Sequence, residues 1–325
     1  METTRTIAQL RAAIGGANRC ALVPTMGNLH DGHLALVHDA RAAITAGAAA
    51  GPIVASIFVN RLQFGPNDDF DRYPRTFAAD CDQLRAAGCD IVFAPLESDL
   101  YPAPQRYTVA PDPALAGILE GAFRPGFFDG VCTVVMKLFC CAQPALAVFG
   151  KKDYQQLMVV RRMVEQFALP IAIVGTEIAR ADDGLALSSR NGYLGPGERA
   201  RATALVLALR HLIDCWRDDP AARESLERQA LERLTALGWA PDYLTIRRRS
   251  DLEPPAVGDG GDEGDGSDGS DESDGSDESR GSDGSDGSDG SNESDRGSAR
   301  RARGYVALGA ARIGGTRLID NIEFD

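Results

Sequence analysis

Short apolar runs alternate with amphipathic helical patterns through the first 180 residues, and this alternation restricts the fold more than any other feature of the sequence. The runs are CALVP (20–24), PIVASIFVN (52–60), DIVFAP (90–95), ALAVFG (145–150) and PIAIVG (170–175). Strands this short and apolar are typical of a parallel sheet that helices cover on both faces. We therefore expect a doubly wound, Rossmann-like α/β domain over residues 1–177, with its ligand at the carboxyl ends of the strands.

The remaining residues, 178–325, have a different pattern. Two helical stretches, 197–217 and 221–238, precede strand-like runs that flank a Gly-Ser-Asp repeat. The repeat, residues 258–298, has no hydrophobic side chain and cannot offset its ordering entropy, so we expect it to be disordered. The sequence predicts a smaller α+β domain in which this segment is an overgrown loop between two strands of one sheet.

The acidity of the chain belongs to that repeat. Its 15 acidic residues and two arginines account for the whole net charge of −13, so the other residues are balanced and predict no nucleic-acid partner. No apolar run approaches the ~20 residues that a membrane span needs, and METTRTIAQLRAAIGG predicts an amphipathic helix, not a signal peptide. The seven cysteines form no C-x-x-C pair, which favours buried free thiols in a reducing cytosol.

Two of the four histidines, His30 and His33, lie three residues apart where a helical pattern follows the first apolar run. The amides at a helix start bind anions, and two imidazoles beside them suit a phosphate whose charge grows during a reaction. Gly27 and Gly32 would allow tight turns and a close approach of the ligand. Zinc binding and structural capping are the competing interpretations, although neither His38 nor His211 has the spacing of a third zinc ligand.

Three further polar clusters follow later strands of the predicted sheet, namely Asn60 and Gln63; Lys152, Asp153 and Gln156; and Ser188, Ser189 and Arg190. Because parallel strands end at the same edge of a sheet, we expect all four clusters to meet in one cleft. Taken singly, each has an ordinary interpretation: a capped strand end, a capping box between Asp153 and Gln156, or a polar loop. An arginine in such a loop can bind two phosphate oxygens at once.

Several common catalytic signatures are missing from the sequence. It contains no Gly-x-Ser-x-Gly elbow, no Walker-type Gly-Lys-Ser/Thr loop and no Rossmann glycine fingerprint after the first strand. The polar residues on offer are cationic or hydrogen-bonding. They favour a reaction in which the protein positions its reactants and neutralises phosphate charge.

Four of the stretches resemble a known family when read in order: PTMGNLHDGH, FVNRLQFGPNDDFDRYPRT, FGKKDYQQL and DGLALSSRNGYL. Together with GGTRLIDNI near the end, they resemble the pantoate–β-alanine ligases, members of the HxGH nucleotidylyltransferase superfamily. The resemblance implies ATP-dependent formation of pantoyl adenylate and pyrophosphate, followed by attack of β-alanine to give pantothenate and AMP. It also implies a requirement for Mg²⁺, a cytoplasmic location and a homodimer.

The resemblance also assigns residues to roles. His30, His33, Lys152, Ser188 and Arg190 would be catalytic, and Gln63, Gln156 and Asn60 would bind pantoate or β-alanine. It places these further residues on ATP: Met26, Gly27, Asn28, Leu29, Asp31, Gly32, Gly150, Lys151, Asp153, Ala179, Leu187 and Ser189. No residue is assigned as a metal ligand.

Three positions depart from the family pattern: Arg61 replaces a proline, Lys151 replaces a glutamate and Phe127 replaces a histidine. We expect Lys151 to add positive charge beside the phosphates. Three other functions remain open at this stage: a nucleotidylyltransferase with another acceptor, a binding protein that uses the acidic repeat to recruit basic partners or calcium, and a zinc hydrolase.

Overall fold

A computed structural model describes residues 1–15, 19–66, 68–256 and 304–325 of the chain. The predicted disorder of residues 258–298 lies outside these residues. No helix in the described ranges is both long enough and apolar enough to cross a membrane.

The larger domain is built on a six-stranded sheet in which every neighbouring pair of strands is parallel. The strand order is β1-β4-β3-β2-β5-β6, so β2 pairs with β3 on one side and with β5 on the other. This confirms the doubly wound α/β fold. The strands are Glu2–Thr4 (β1), Ala21–Thr25 (β2), Ile53–Ile57 (β3), Ile91–Phe93 (β4), Leu146–Gly150 (β5) and Ala172–Thr176 (β6).

Helices pack on both faces of this sheet because successive strand residues point to opposite sides. Ala21 and Val23 of β2 belong to the core beneath one set of helices, whereas Leu22 lies in the core on the other face. The helices of the domain are Ile7–Ile14 (α1), Asp31–Thr45 (α2), Phe77–Ala86 (α3), Glu97–Leu100 (α4), Pro113–Ala116 (α5), Glu120–Phe123 (α6), Phe127–Ala142 (α7) and Tyr154–Gln166 (α8).

The N-terminus differs from the predicted single helix. Residues Glu2–Thr4 form the edge strand β1 beside β4, and α1 begins only at Ile7, where Thr6 caps it with a capping box. Helix α7 was not predicted from the sequence. Its residues are mostly apolar, and twelve of the sixteen are buried.

The smaller domain contains a three-stranded antiparallel sheet in the order β7-β8-β9. The predicted helix 197–217 is two helices, because the chain breaks its helical run at residues 202–203. The elements are Pro196–Arg201 (α9), Ala204–Asp218 (α10), Arg223–Ala236 (α11), Ala240–Arg248 (β7), Tyr305–Ile313 (β8) and Thr316–Phe324 (β9). Trp216 of α10 packs edge-on against Tyr305 and Phe324 in the core of this domain.

The strands on either side of the acidic repeat are neighbours in this sheet, as predicted. Strands β7 and β8 pair from Arg248 and Tyr305 onward, and the backbone amide of Arg249 donates to the carbonyl of Gly304 at 3.0 Å. The chain therefore leaves and re-enters the domain at closely spaced points.

Removing residues 258–298 should leave the smaller domain intact. The deletion shortens the connection about fourfold, and for a flexible loop two halvings of length recover roughly 1 kcal/mol of closure entropy. We expect a melting temperature equal to or above that of the full chain in thermal denaturation. A lower melting temperature, or loss of cooperative unfolding, would show that the repeat contributes to the fold.

Candidate active site

A cavity of about 230 Å³ opens at the carboxyl ends of β2, β3 and β5, where the order of the parallel sheet switches direction. All four predicted polar clusters contribute to its lining, which confirms that they meet in one cleft. The predicted site residues that line it are Met26, His30, Gly32, His33, Asn60, Gln63, Gly150, Lys152, Asp153, Gln156, Ala179, Leu187, Ser188, Ser189 and Arg190. Gly27, Asn28, Leu29, Asp31 and Lys151 do not line it.

A buried carboxylate fixes the turn that precedes the histidines. Asp80, which is 1% exposed, accepts the backbone amides of Asn28 at 3.0 Å and Leu29 at 2.9 Å. Gly27 has φ of +81°, and a Cβ there would meet Asp80 at 3.0 Å, so only glycine fits without strain. Gly27, Asn28 and Leu29 therefore act through the shape of the loop, one layer behind the cavity wall.

His30 and His33 both hydrogen-bond the backbone at the start of α2 and also line the cavity. His30 is the N-cap of α2, and its Nδ1 accepts the amide of Gly32 at 3.1 Å; Nδ1 of His33 accepts the amide of His30 at 3.3 Å. Because each Nδ1 accepts a backbone hydrogen bond, the proton of each neutral ring is assigned to Nε2. Both imidazoles therefore keep an N–H donor for a ligand in the cavity that they line.

Both rings are held in the neutral form. Burial lowers the pKa of His30 from 6.5 to about 4, and the positive charge of Lys152 acts in the same direction. Burial lowers the pKa of His33 to about 3, with further contributions from His30 and Lys152. The cleft therefore offers two uncharged donors beside a cation at neutral pH.

The zinc interpretation finds no support in the geometry. The described residues contain no group of three or more His, Cys, Asp or Glu side chains that could hold a metal ion. Burial and the positive charge of Lys152 also disfavour a cation bound at the two imidazoles alone.

In the first amide pair of the cleft, Asn60 supports Gln63, whose own amide nitrogen donates to the sulfur of Met26 at 3.4 Å. Asn60, which is 1% exposed, donates to the side chain of Gln63 at 3.2 Å and to the carbonyl of Gly130 at 3.1 Å, and it accepts from Tyr101 at 3.0 Å. These contacts use the whole side chain of Asn60, which positions Gln63. A Cβ on Gly130 would collide with the carbonyl of Leu62, so α7 packs directly on the turn that carries Gln63.

The two adjacent lysines in the turn after β5 have different surroundings. Lys152 lines the cavity and makes no ion pair with any described residue, whereas Lys151 donates to Glu177 and, at 2.8 Å, to Glu323 of β9. The expectation that Lys151 adds charge beside the phosphates is therefore wrong, because two carboxylates hold its ammonium outside the cavity. The capping-box interpretation is also wrong: Asp153 occupies the N-cap position of α8, but its side chain accepts no capping hydrogen bond.

The fourth polar cluster, residues 188–190, is hydrogen-bonded to the loop that leads to the histidines. Ser189 Oγ donates to the carbonyl of Asn28 at 2.9 Å, and Ser188 Oγ accepts the amide of Arg190 at 3.3 Å. The guanidinium of Arg190 donates from Nη2 and Nε to the two oxygens of Asp69 at 3.0 and 3.3 Å. Burial alone would raise the pKa of Asp69, but the hydrogen bond and charge of Arg190 outweigh it and lower that pKa.

Sequence reasoning missed a second set of cavity residues. Arg124 lines the cleft, donates to Asp68 at 3.1 Å and stacks its guanidinium on Phe127 with 3.7 Å between Cζ and the ring centre. Asp69 and Asp80 were missed as well, since an isolated acidic residue carries no sequence signal. Phe127 thus serves as a platform for Arg124, while Arg61, also a departure from the family pattern, stacks on Phe70 at the surface.

The cleft continues into a larger hollow of about 570 Å³ between the two domains. Lys152, Ser188 and Arg190 face both spaces. On the far side Arg317 of β9 forms a two-point ion pair with the buried Glu120, at 2.7 and 2.8 Å, which joins the domains across the hollow.

Fold and cleft together define a doubly wound α/β enzyme with a donor-rich site at the switch point of its sheet. A family model described as pantoate–β-alanine ligase matches residues 2–264 of the chain. The chain belongs to the pantoate–β-alanine ligase family.

Relatives and solved structures agree with this membership. Pantothenate synthetases of Leptothrix cholodnii and Paracidovorax citrulli are 56% and 52% identical to the chain, over 99% and 100% of it and the whole of each relative. A pantothenate synthetase structure from Thermus thermophilus is 38% identical, covers 99% of both chains and has a TM-score of 0.78. The ligase of Francisella tularensis, solved in complex with Beta-gamma ATP and β-alanine, is 26% identical over 99% of this chain and 97% of its own, with a TM-score of 0.67.

The lowered histidine pKa values predict an acid-labile fold. Between the folded-state pKa values and 6.5, the unfolded chain binds more protons than the folded chain. The free energy of unfolding is therefore at its full value above about pH 6.5 and decreases as the pH falls toward about 4. The decrease is up to about 1.4 kcal/mol per pH unit for each histidine. His33→Asn, whose amide oxygen can replace Nδ1 as acceptor, should lose less stability on acidification. Urea denaturation at several pH values measures this, with His38→Asn on the exposed side of α2 as the control; equal slopes for His33→Asn and wild type would contradict it.

The pair between Asp69 and Arg190 predicts a second effect. Asp69→Asn removes the carboxylate that orients Arg190, and hydrogen bonds between charged groups contribute about 1.5–3 kcal/mol. We expect nucleotide affinity to fall by roughly tenfold or more, measured by calorimetric titration. Asp183→Asn, which breaks an exposed pair with Arg199, is the matched control and should bind as wild type does.

Proposed function

We propose that this cleft condenses pantoate with β-alanine at the expense of ATP, through pantoyl adenylate, and releases pyrophosphate and AMP. The convergence of all four polar clusters on one cavity carries the proposal. Neutral donors, cations, amide groups and apolar side chains all belong to the lining of this one cavity.

The pantoate end of the cleft is supported by its lining. Gln63 and Gln156 offer amide donors and acceptors for the hydroxyl and carboxylate groups of a small hydroxy acid. Val131, Val134 and Leu138 of α7 form an apolar wall that suits the two methyl groups of pantoate. This pairing favours pantoate over the acceptors of other nucleotidylyltransferases, which share only the histidine loop.

In the first step a pantoate carboxylate oxygen attacks the α-phosphorus of ATP, and the bond to the bridging oxygen of pyrophosphate breaks. Negative charge accumulates on the leaving group. His30 and His33 donate from Nε2, while Lys152, Ser188 and Arg190 supply cationic and hydroxyl donors. Because these groups are preorganised in a partly buried cleft, they stabilise the transition state without reorganising.

In the second step the β-alanine amine attacks the acyl carbon of the mixed anhydride. The amide bond forms as the acyl–oxygen bond breaks, AMP leaves and a proton is released. The hollow between the domains gives pyrophosphate a way out and β-alanine a way in. The smaller domain closes the other side of this hollow and would limit hydrolysis of the adenylate.

The residues present also fit a magnesium ion held mainly by the nucleotide. Mg²⁺ keeps several waters and is commonly bound by one or two carboxylates plus substrate phosphates. Asp153, exposed beside Lys152 and without a capping hydrogen bond, is the carboxylate that could contact it. The ion would neutralise phosphate charge. A cytoplasmic location, a homodimer and a domain boundary at residues 177/178 complete the proposal.

The direct test mixes the purified protein with ATP, Mg²⁺, pantoate and β-alanine. AMP should appear only when all are present, and pyrophosphate should already appear from ATP, Mg²⁺ and pantoate without β-alanine. Pyrophosphate release with another hydroxy acid but not with pantoate would indicate a different acceptor. Activity lost to a zinc-selective chelator would indicate a zinc enzyme instead.

The role of His33 in the first step predicts a specific loss. His33→Ala removes one donor to the leaving group, and such donors contribute roughly 10²–10³-fold in kcat. Pantoate-dependent exchange of pyrophosphate into ATP should fall by about that factor, with the variant folded by circular dichroism. Exchange at the wild-type rate would remove His33 from the mechanism.

A further inference from the structure

The last strand of the chain contacts the nucleotide side of the cleft from outside it. Asp320 and Asn321 of β9 are 5% and 3% exposed, and both side chains reach across to the larger domain or to the segment that follows it. Neither lines the 230 Å³ cavity. Because buried polar side chains are normally hydrogen-bonded, the partners of these two show which segments they hold in place.

Asn321 holds the turn that carries Lys152. Its Nδ2 donates to the backbone carbonyls of Lys151 and Lys152, each at 2.9 Å. Since a primary amide nitrogen has two N–H donors, this one group satisfies both carbonyls. The peptide that joins the two lysines is therefore fixed from the smaller domain, and Lys152 enters the cavity from it.

Asp320 holds a second stretch of the cavity lining. Its two oxygens accept from Nη1 and Nη2 of Arg180 at 2.7 and 2.9 Å, and Arg180 also donates to the carbonyls of Asn321 and Gly184, each at 3.0 Å. Arg180 directly follows Ala179, which lines the cavity and whose carbonyl accepts the amide of Leu187 at 2.9 Å. The stretch that leads to Ser188 and Arg190 is thus anchored on β9.

A third residue of β9 adds to this contact. Glu323 accepts from Lys151 at 2.8 Å and from the hydroxyl of Tyr154 at 2.7 Å, and it lies 3.3 Å from Arg249. Lys151, which departs from the family pattern, is therefore matched by an acceptor on the smaller domain. Glu323 therefore links the turn after β5 to β9.

We propose that Asp320 and Asn321 are positioning residues for the nucleotide: adjacent on one strand, they set the separation of the two loops that would grip ATP. This inference rests on the proposed function for the identity of the ligand. Gln63 lies on the turn after β3, which makes no hydrogen bond to this pair, whereas Gln156 lies one helical turn beyond Lys152 on α8 and lines a small cavity with Asp320 and Asn321. Loss of Asp320 or Asn321 should therefore weaken ATP binding more than pantoate binding.

The test compares Asn321→Ala and Asp320→Asn with wild type in the full-length chain. Titration calorimetry with a non-hydrolysable ATP analogue should show an affinity loss of about tenfold in each variant. In the complete assay KM for ATP should rise by a similar factor, while KM for pantoate stays within about twofold. Asn321→Asp, which keeps the shape but replaces the donors by a carboxylate facing two carbonyls, should bind ATP at least as weakly as Asn321→Ala.

Thr245→Ala is the matched control. Thr245 is a buried residue of the same small sheet, and its hydroxyl donates to Glu227 at 2.9 Å, away from the nucleotide loops. It should lower the melting temperature by about as much as Asn321→Ala and leave both KM values unchanged. This separates positioning from general stability.

Three results would overturn the inference: unchanged ATP affinity in a folded Asn321→Ala protein, equal rises of KM for ATP and pantoate, or the same ATP loss in Thr245→Ala. Failure of the proposed function looks different, because wild type itself would then form no pantothenate. The binding titration would still report on the two loops in that case.

Discussion

The switch in strand order at β2 is the constraint on which the rest of the structure depends. Since β2 pairs with β3 on one side and β5 on the other, the connections that follow these strands leave in opposite directions and open a cleft between them. The histidine turn, the Asn60 turn and the lysine turn all begin at this point. Asp80 then fixes the first turn, Gly130 supports the second and Asn321 the third. Each of these three turns therefore has a buried polar or glycine contact behind it.

The electrostatics of the cleft follow from the same arrangement. Burial keeps His30 and His33 uncharged beside Lys152, so the ligand-free site does not accumulate three neighbouring positive charges. Asp69 balances Arg190 in a similar way. The cavity therefore keeps cationic and uncharged donors side by side, an arrangement suited to a negatively charged ligand.

Much of the fold was predictable because its signals are local. The five predicted strands and the helix start at His30 follow from apolar runs and their spacing, and the strands that flank the repeat pair as expected. Helix α7 was missed although its apolar residues recur with a helical period, and β1 is too short to give a pattern. Contacts made over long separations were beyond reach: nothing near Lys151 in the sequence indicates that Glu323 would remove it from the cleft. The resemblance identified the family, yet ion pairs of Lys151 with Glu177 and Glu323 decide which of the two adjacent lysines lines the cavity.

The hairpin between β7 and β8 suggests a practical use of this architecture. From Tyr243 to Arg248 the first strand keeps one register with the second, up to the bond between Arg249 and Gly304, although a long acidic tract separates the strands in sequence. Such a junction is suited to hosting foreign cargo, for example a fluorescent reporter or an affinity handle, without extending either terminus.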